Sequence, residues 1–263
     1  MSIRQQTVPA PAMTAWKRLR AELSAILGDD LVAVWGHGGT IGSAPSRVAD
    51  LDTYVIVRQG PDRSTANAIE RAEESIAAEL GVDWDTWYVA VEDAQRPEPP
   101  RHAFRKDRRD TSWAINRAHW LSGRVVNLHG PQPGDIVPAP AWGKITAELD
   151  RELEHLEAHV AEGDTDPYEA TYAILNGSRI LHALETQAVA ISKREGGMWA
   201  LDNLPDRWHP LLQAAIRNYD GEPSPEDVDL LAGGMAQFVT MVRERLPHPD
   251  ERSPDSTPRF SGY

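Results

Sequence analysis

Cysteine is absent from the 263 residues. That excludes a disulfide framework and fits a cytoplasmic setting. No uninterrupted apolar run reaches the roughly 18 residues that a membrane-spanning helix needs, so a membrane span is not expected. The opening residues, Ser2 to Met13, are polar and contain proline, unlike a secretory leader. Basic residues are outnumbered, 27 against 40 acidic, for a net charge of −13. This balance argues against a nucleic-acid backbone as partner and suits a cationic small molecule, although the same acidity also serves solubility. Phenylalanine is scarce at three residues while tryptophan reaches nine, most of them expected in the core and some available for stacking on a base or sugar. No internal repeat is present.

What the chain does have is a stretch from Gly36 to Asp52, GHGGTIGSAPSRVADLD, set between the apolar runs Leu31–Trp35 and Thr53–Val57. It reads as strand, glycine turn, short helix and a second strand that opens on two carboxylates. Strand residues two apart share a face, so Asp50 and Asp52 project together with Cα atoms roughly 7 Å apart. Two hard oxygen ligands facing a turn whose N–H groups can hold phosphate describe a site for Mg²⁺ and a nucleoside triphosphate. His37, beside the glycines, is read as tolerated in the turn.

Around this stretch the pattern is α+β. Met13, Trp16, Leu19, Leu23, Ile26 and Leu27 have helical spacing that stops at Gly28, and Ser64–Leu80 forms a second helix capped by Gly81. Val82–Val91 alternates as a third strand, with Asp83 and Asp85 on one face, either of which can serve as a third acid. Arg96–Arg109 is proline-rich and then basic. It reads as a solvated, mobile surface loop, with Arg101, Arg105, Lys106, Arg108 and Arg109 as candidates to approach a triphosphate. Thr111–Leu121 is helical and Val125–Leu128 a short last strand. Gly130–Pro140, rich in proline and glycine, is a linker. Beyond it every pattern is helical: Trp142–Val160, Pro167 to about Thr186, a helix capped by Ser192 with Glu195, Pro205–Tyr219 and Glu226–Leu246. The expected units are 1–135, 136–248 and a disordered tail, 249–263.

Two segments resemble the aminoglycoside adenylyltransferases that modify streptomycin and spectinomycin, members of the nucleotidyltransferase superfamily. The first is Gly38-Gly39 followed at the family's spacing by Asp50-Leu51-Asp52. The second, more specific, is Leu175–Ala215, similar to the family's helical domain; Leu128–Trp142 looks like its hinge. The resemblance implies an N-terminal nucleotidyltransferase domain, a mixed sheet flanked by helices, followed by an all-α helical-bundle domain. It also implies Mg²⁺-dependent transfer of AMP from ATP to an antibiotic hydroxyl, with Asp50, Asp52 and Asp85 as metal ligands and Asp85 also as base. Gly38, Gly39, Thr40, Arg179 and Lys193 fall at nucleotide-binding positions, and Glu169, with Asp166 nearby, at the position that holds the cationic acceptor. The partners are then ATP and that acceptor, without nucleic acid or membrane, on a monomer.

The chain departs from the family's pattern at three places. The serine after the first glycine is Gly39, which removes a phosphate hydrogen bond worth about 1 kcal/mol; Thr40 is placed to compensate. The base position holds aspartate instead of glutamate, one methylene shorter. The tryptophan on which streptomycin packs has no counterpart in the loop after the third strand. Other readings stay open: a different acceptor such as a lincosamide, or a degenerate nucleotidyltransferase that binds nucleotide or protein without turnover. Arg179 can instead pair with Glu185, and Asp166 and Glu169 can serve only to stabilise a helix N-terminus.

Overall fold

The computed structural model describes residues 8–41, 50–162 and 166–246. The short helix expected within 36–52, the C-terminal tail from Pro247 and the acidic Asp164 lie outside them. The chain divides into two compact units, one ending at Pro140 and the other beginning at Ala141.

The first unit runs α1 (Ala10–Leu27), β1 (Leu31–Gly36), β2 (Asp50–Val57), α2 (Arg63–Leu80), β3 (Asp83–Ala90), a short α3 (Val91–Ala94), α4 (Trp113–Leu121) and β4 (Val126–His129). Among the described residues, four strands form one mixed sheet in the order β3-β2-β1-β4. β1 is antiparallel to both β2 and β4, while β2 and β3 are parallel, joined by the α2 crossover. Local chemistry accounts for the helix ends. Asp62 accepts the Thr65 N–H at 2.8 Å to start α2, and Gly81, left-handed at φ 62°, closes it.

Side-chain alternation sorts the sheet into two faces. On one, Val34, Val55, Val57 and Tyr88 pack on Leu19, Leu23 and Leu27 of α1 and on Ile69 and Ile76 of α2. On the other, Ala33, Trp35, Tyr54, Ile56 and Val89 pack on Trp113 and Trp120 of α4. The scarce phenylalanine is thus replaced by tryptophan, with Trp35, Trp113 and Tyr54 grouped around Trp120 at centroid distances of 5.4, 5.6 and 4.6 Å.

The 96–109 segment is not the loose loop its composition suggests. Ala103 N–H bonds the Tyr88 carbonyl at 2.7 Å, Arg105 pairs with Glu70 at 2.9 Å, and the Arg108 guanidinium lies 4.8 Å from the centre of a Trp87 ring. A bridge joins Arg101 to Arg109, whose guanidinium also reaches the Pro99 carbonyl at 3.2 Å. Partners inside the fold, invisible in a charged sequence, tie it down.

The described residues of the second unit form helices without strands: α5 (Trp142–Glu162), α6 (Pro167–Thr186), α7 (Lys193–Asn203), α8 (His209–Tyr219) and α9 (Pro225–Arg245). The helix expected from Pro205 starts later, after a 3-10 turn at Asp206–Trp208. α6 is the central helix, with twelve buried residues from Ala170 to Ala183. Close approach to it depends on glycine: a Cβ on Gly177 would lie 3.1 Å from Phe238 of α9, and one on Gly196 of α7 would lie 2.8 Å from Arg179 Cγ. Reciprocal capping boxes, Ser192 with Glu195 and Ser224 with Asp227, start α7 and α9.

Candidate active site

β2 begins on Asp50, and its alternation places Asp50 and Asp52 on the α4 side of the sheet, the same face as Tyr54. The parallel ladder pairs Asp50 with Asp83 and Asp52 with Asp85. Four carboxylates therefore stand on one face at the start of two adjacent strands. The ladder brings Asp85 beside Asp52, so of the two candidates for a third acid it is the one next to the inner carboxylate.

β1 runs antiparallel to β2, so the turn after Gly36 arrives over these carboxylates. His37 N–H bonds the Asp52 carbonyl at 3.0 Å, and the buried Thr40 hydroxyl bonds the Asp50 carbonyl at 3.2 Å. Arg124, ahead of β4, holds the Ile41 carbonyl at 3.0 Å. Gly38 adopts φ +85°, and a Cβ built on it would fall 1.6 Å from Asp52 Oδ2. The backbone therefore lies directly against the Asp52 carboxylate, which only glycine permits. Among the described residues, nothing lies within 4 Å of a Cβ built on Gly39. Thr40 spends its proton on the Asp50 carbonyl and retains acceptor capacity only.

Behind the carboxylates lies a network that sequence reasoning missed. The Tyr54 hydroxyl donates to Asp110 Oδ2 and accepts from Asn116 Nδ2 at 2.9 Å; Asp110 Oδ1 accepts the Ser112 N–H at 2.8 Å. Burial pushes the Asp110 carboxyl above its ordinary range, with the nearby Asp85 charge adding to the shift. Tyr54 is raised by the same causes, burial first and then Asp110. The only signal in the sequence was Asp110-Thr111-Ser112 before a helix, which reads as a cap. His37 packs its ring on Tyr54 and Trp120 at 5.0 and 5.7 Å, and burial lowers its pKa to about 3. It is thus a neutral wall of the site and not a mere turn residue.

Among the described residues, no group of three His, Asp or Glu side chains is gathered closely enough to hold a metal ion on protein ligands alone. Mg²⁺ seldom requires such a cage, since one or two carboxylates and substrate phosphate oxygens suffice. The hard-oxygen pair Asp50 and Asp52, beneath a turn with no side chain at Gly38, fits that arrangement.

In the helical unit, Arg179 Nη1 bonds Asn176 Oδ1 at 2.9 Å and its Nε bonds the Ile191 carbonyl at 3.1 Å, which directs the guanidinium toward α7. Lys193, at the start of α7, lies 4.4 Å from the centre of the Tyr172 ring, and the Tyr172 hydroxyl bonds Glu152 at 3.1 Å. Burial and Glu152 raise the Tyr172 pKa. The fold thus gathers Lys193 and Arg179, fourteen positions apart in sequence, beside one face of α6. Glu169 projects toward α5, 3.9 Å from His159, whereas Asp166 Oδ1 caps α6 on Tyr168 N–H at 2.9 Å. Asp166 therefore has a structural duty that Glu169 does not share. Tyr172 and Glu152 were not singled out in the sequence; neither belongs to a motif, and only the packing of α5 on α6 joins them.

Residues 142–245 match the family model described as aminoglycoside adenylyltransferase, C-terminal domain. No curated protein matches the chain in sequence. Among solved structures, the spectinomycin adenyltransferase AAD(9) from Enterococcus faecialis, with ATP and spectinomycin, aligns at a TM-score of 0.66 and 14% identity, covering 87% of this chain and 99% of its own. At that identity the likeness speaks for the fold. The MntA-HpeT toxin–antitoxin mutant covers 55% of this chain and 93% of its own at 12% identity, but its TM-score of 0.28 is too low to bear on the fold. The helical unit thus matches the C-terminal domain of the aminoglycoside adenylyltransferases, and the fold is the one seen in the spectinomycin enzyme.

Proposed function

We propose that the protein transfers AMP from ATP to a hydroxyl of an aminocyclitol antibiotic and releases pyrophosphate. One observation carries the reading: the glycine turn seated on Asp52 occurs in a chain whose helical unit matches this family. Spectinomycin is the preferred acceptor over streptomycin, because no tryptophan stands between Val91 and Ser112 to pack streptomycin as the family does.

In this mechanism Asp50 and Asp52 hold Mg²⁺, which when bound neutralises phosphate charge and polarises the α-phosphoryl group. The Gly38–Thr40 turn presents backbone N–H groups to the phosphates, and in the helical unit Arg179 and Lys193 carry the positive charge and donors that suit phosphate. The acceptor oxygen attacks the α-phosphorus as the bond to the β-phosphate oxygen breaks, and its proton passes to Asp85. Asp85 can act as base because it is ladder-paired with Asp52, one strand from the metal carboxylates, so the shorter side chain starts close to the reacting centre. Glu169 offers its negative charge to the cationic acceptor.

The decisive assay incubates the protein with Mg-ATP and spectinomycin, or streptomycin in a parallel reaction, and reads the antibiotic's mass. Gain of one adenylyl group, lost in Asp52→Asn, is expected. ATP binding by calorimetry without turnover on any aminocyclitol would refute the proposal in favour of a nucleotide-binding module. Turnover only on another hydroxyl compound, such as a lincosamide, would keep the chemistry and overturn the acceptor.

A further inference from the structure

His155 and His159 stand one turn apart on α5, where residues four apart share a face. Their Nε2 atoms are 3.2 Å from each other, and the rings meet edge to face with centroids 4.5 Å apart. His159 Nδ1 is buried, has no hydrogen-bond partner among the described residues, and lies 3.9 Å from Glu169 Oε2 on α6. The charge on the adjacent helix thus faces the outer nitrogen of the pair's inner member.

We propose that His155 and His159 bind a divalent transition cation of the Zn²⁺ or Ni²⁺ class through their Nε2 atoms, with Glu169 orienting His159 from behind. Imidazole nitrogens bound at about 2.0–2.1 Å to one tetrahedral zinc stand about 3.3 Å apart, which nearly matches the spacing in place. Without an ion, the two nitrogens can approach this closely only if one carries a proton that the other accepts. An ion takes that proton's position, and each ring then keeps its proton on Nδ1. For His159 that nitrogen lies 3.9 Å from Glu169 Oε2, within reach of a hydrogen bond after a small side-chain shift, and an imidazole ligand backed by a carboxylate is the usual outer shell of a metal site. Directing both lone pairs at one ion requires the ring centroids to open from 4.5 Å to about 5 Å, a small rotation available to the exposed His155.

Among the described residues no third protein ligand joins the pair, so water completes the coordination sphere and the ion is exchangeable. Imidazole selects zinc, nickel or copper over magnesium, which separates this site from the Asp50–Asp52 carboxylates. The proposal does not depend on the adenylyl-transfer reading.

The test is calorimetric titration of the untagged full-length protein with Zn²⁺ and, separately, Ni²⁺, with circular dichroism confirming that every variant is folded. The expected result is one ion per chain in the parent, with affinity at least tenfold weaker in His155→Ala and in His159→Gln, and about tenfold weaker in Glu169→Gln. No saturable binding in the parent, or parental binding in the double histidine variant, would overturn the site. Loss in the histidine variants with unchanged affinity in Glu169→Gln would overturn the role given to Glu169.

Discussion

Replacing Gly38 by alanine tests the link between the glycine turn and the metal carboxylate. The added methyl carbon would be 1.6 Å from Asp52 Oδ2 and 2.5 Å from its Cγ, at a backbone φ of +85°. The backbone alone costs about 1–2 kcal/mol for a residue with a Cβ in this region. To reach an ordinary carbon–oxygen contact, the carboxylate must swing away by roughly 1.5–2 Å, and a displacement of about 1 Å at a reacting centre is worth on the order of 100-fold in rate. We therefore expect kcat/KM for Mg-ATP-dependent pyrophosphate release to drop at least about 100-fold, or roughly 3 kcal/mol of transition-state stabilisation. Thermal unfolding should fall by only some 4–8 °C. Gly39→Ala is the internal control: its Cβ meets nothing within 4 Å among the described residues, so activity should stay within about threefold and stability within about 0.5 kcal/mol. If Gly38→Ala kept parental kcat/KM, the turn would not be coupled to Asp52 in the reaction.

Three other perturbations address neighbouring parts of the site. Gly39→Ser restores the hydroxyl of the family's pattern and should tighten Mg-ATP binding about fivefold by calorimetry; an unchanged affinity would show that the phosphate does not reach this position. Tyr54→Phe strips Asp110 and Asn116 of a shared partner and should lower unfolding free energy in urea by about 1–3 kcal/mol, whereas a loss under about 0.5 kcal/mol would mean that the network rearranges freely. His37 has its folded pKa depressed to about 3, so its stabilising contribution is complete above the unfolded value near 6.5 and declines as pH falls toward 3. Urea unfolding at pH 7, 6, 5 and 4 should therefore give a shallower acid limb in His37→Gln than in the parent, by at most about 1.4 kcal/mol per pH unit, and parallel curves would refute the assignment.

The parts of the site that depend on local spacing could be read from the sequence. Period-two alternation is a property of any strand, so Asp50 and Asp52 had to share a face, and Asp83 and Asp85 likewise. The helix starts at Asp166-Pro167 and Ser192 were readable for the same reason, since a cap is satisfied within three residues. Alternation alone could not choose Asp85 over Asp83, a choice that only the family resemblance implied, because ladder register leaves no mark within either strand. Asp110 was hidden by its setting: in a run of arginines and lysine a carboxylate looks solvated, and only the approach of α4 to the sheet shows it buried against Tyr54. His37 was undervalued because its partners, Tyr54 and Trp120, are far away along the chain.

The pairing of β2 with β3 keeps a constant sequence offset from Asp50–Asp83 to Val57–Ala90, without a bulge. The two carboxylate strands are consequently aligned by eight consecutive rungs and not by the length of the segment that joins them. Insertions or deletions between Arg58 and Val82 can be absorbed in the crossover while Asp52 and Asp85 remain neighbours. A single residue gained or lost inside either strand, upstream of its partner rungs, would instead turn that strand's carboxylates to the opposite side of the sheet. Divergent descendants of this chain should therefore vary freely in the length of the crossover and hardly at all in the length of the two strands.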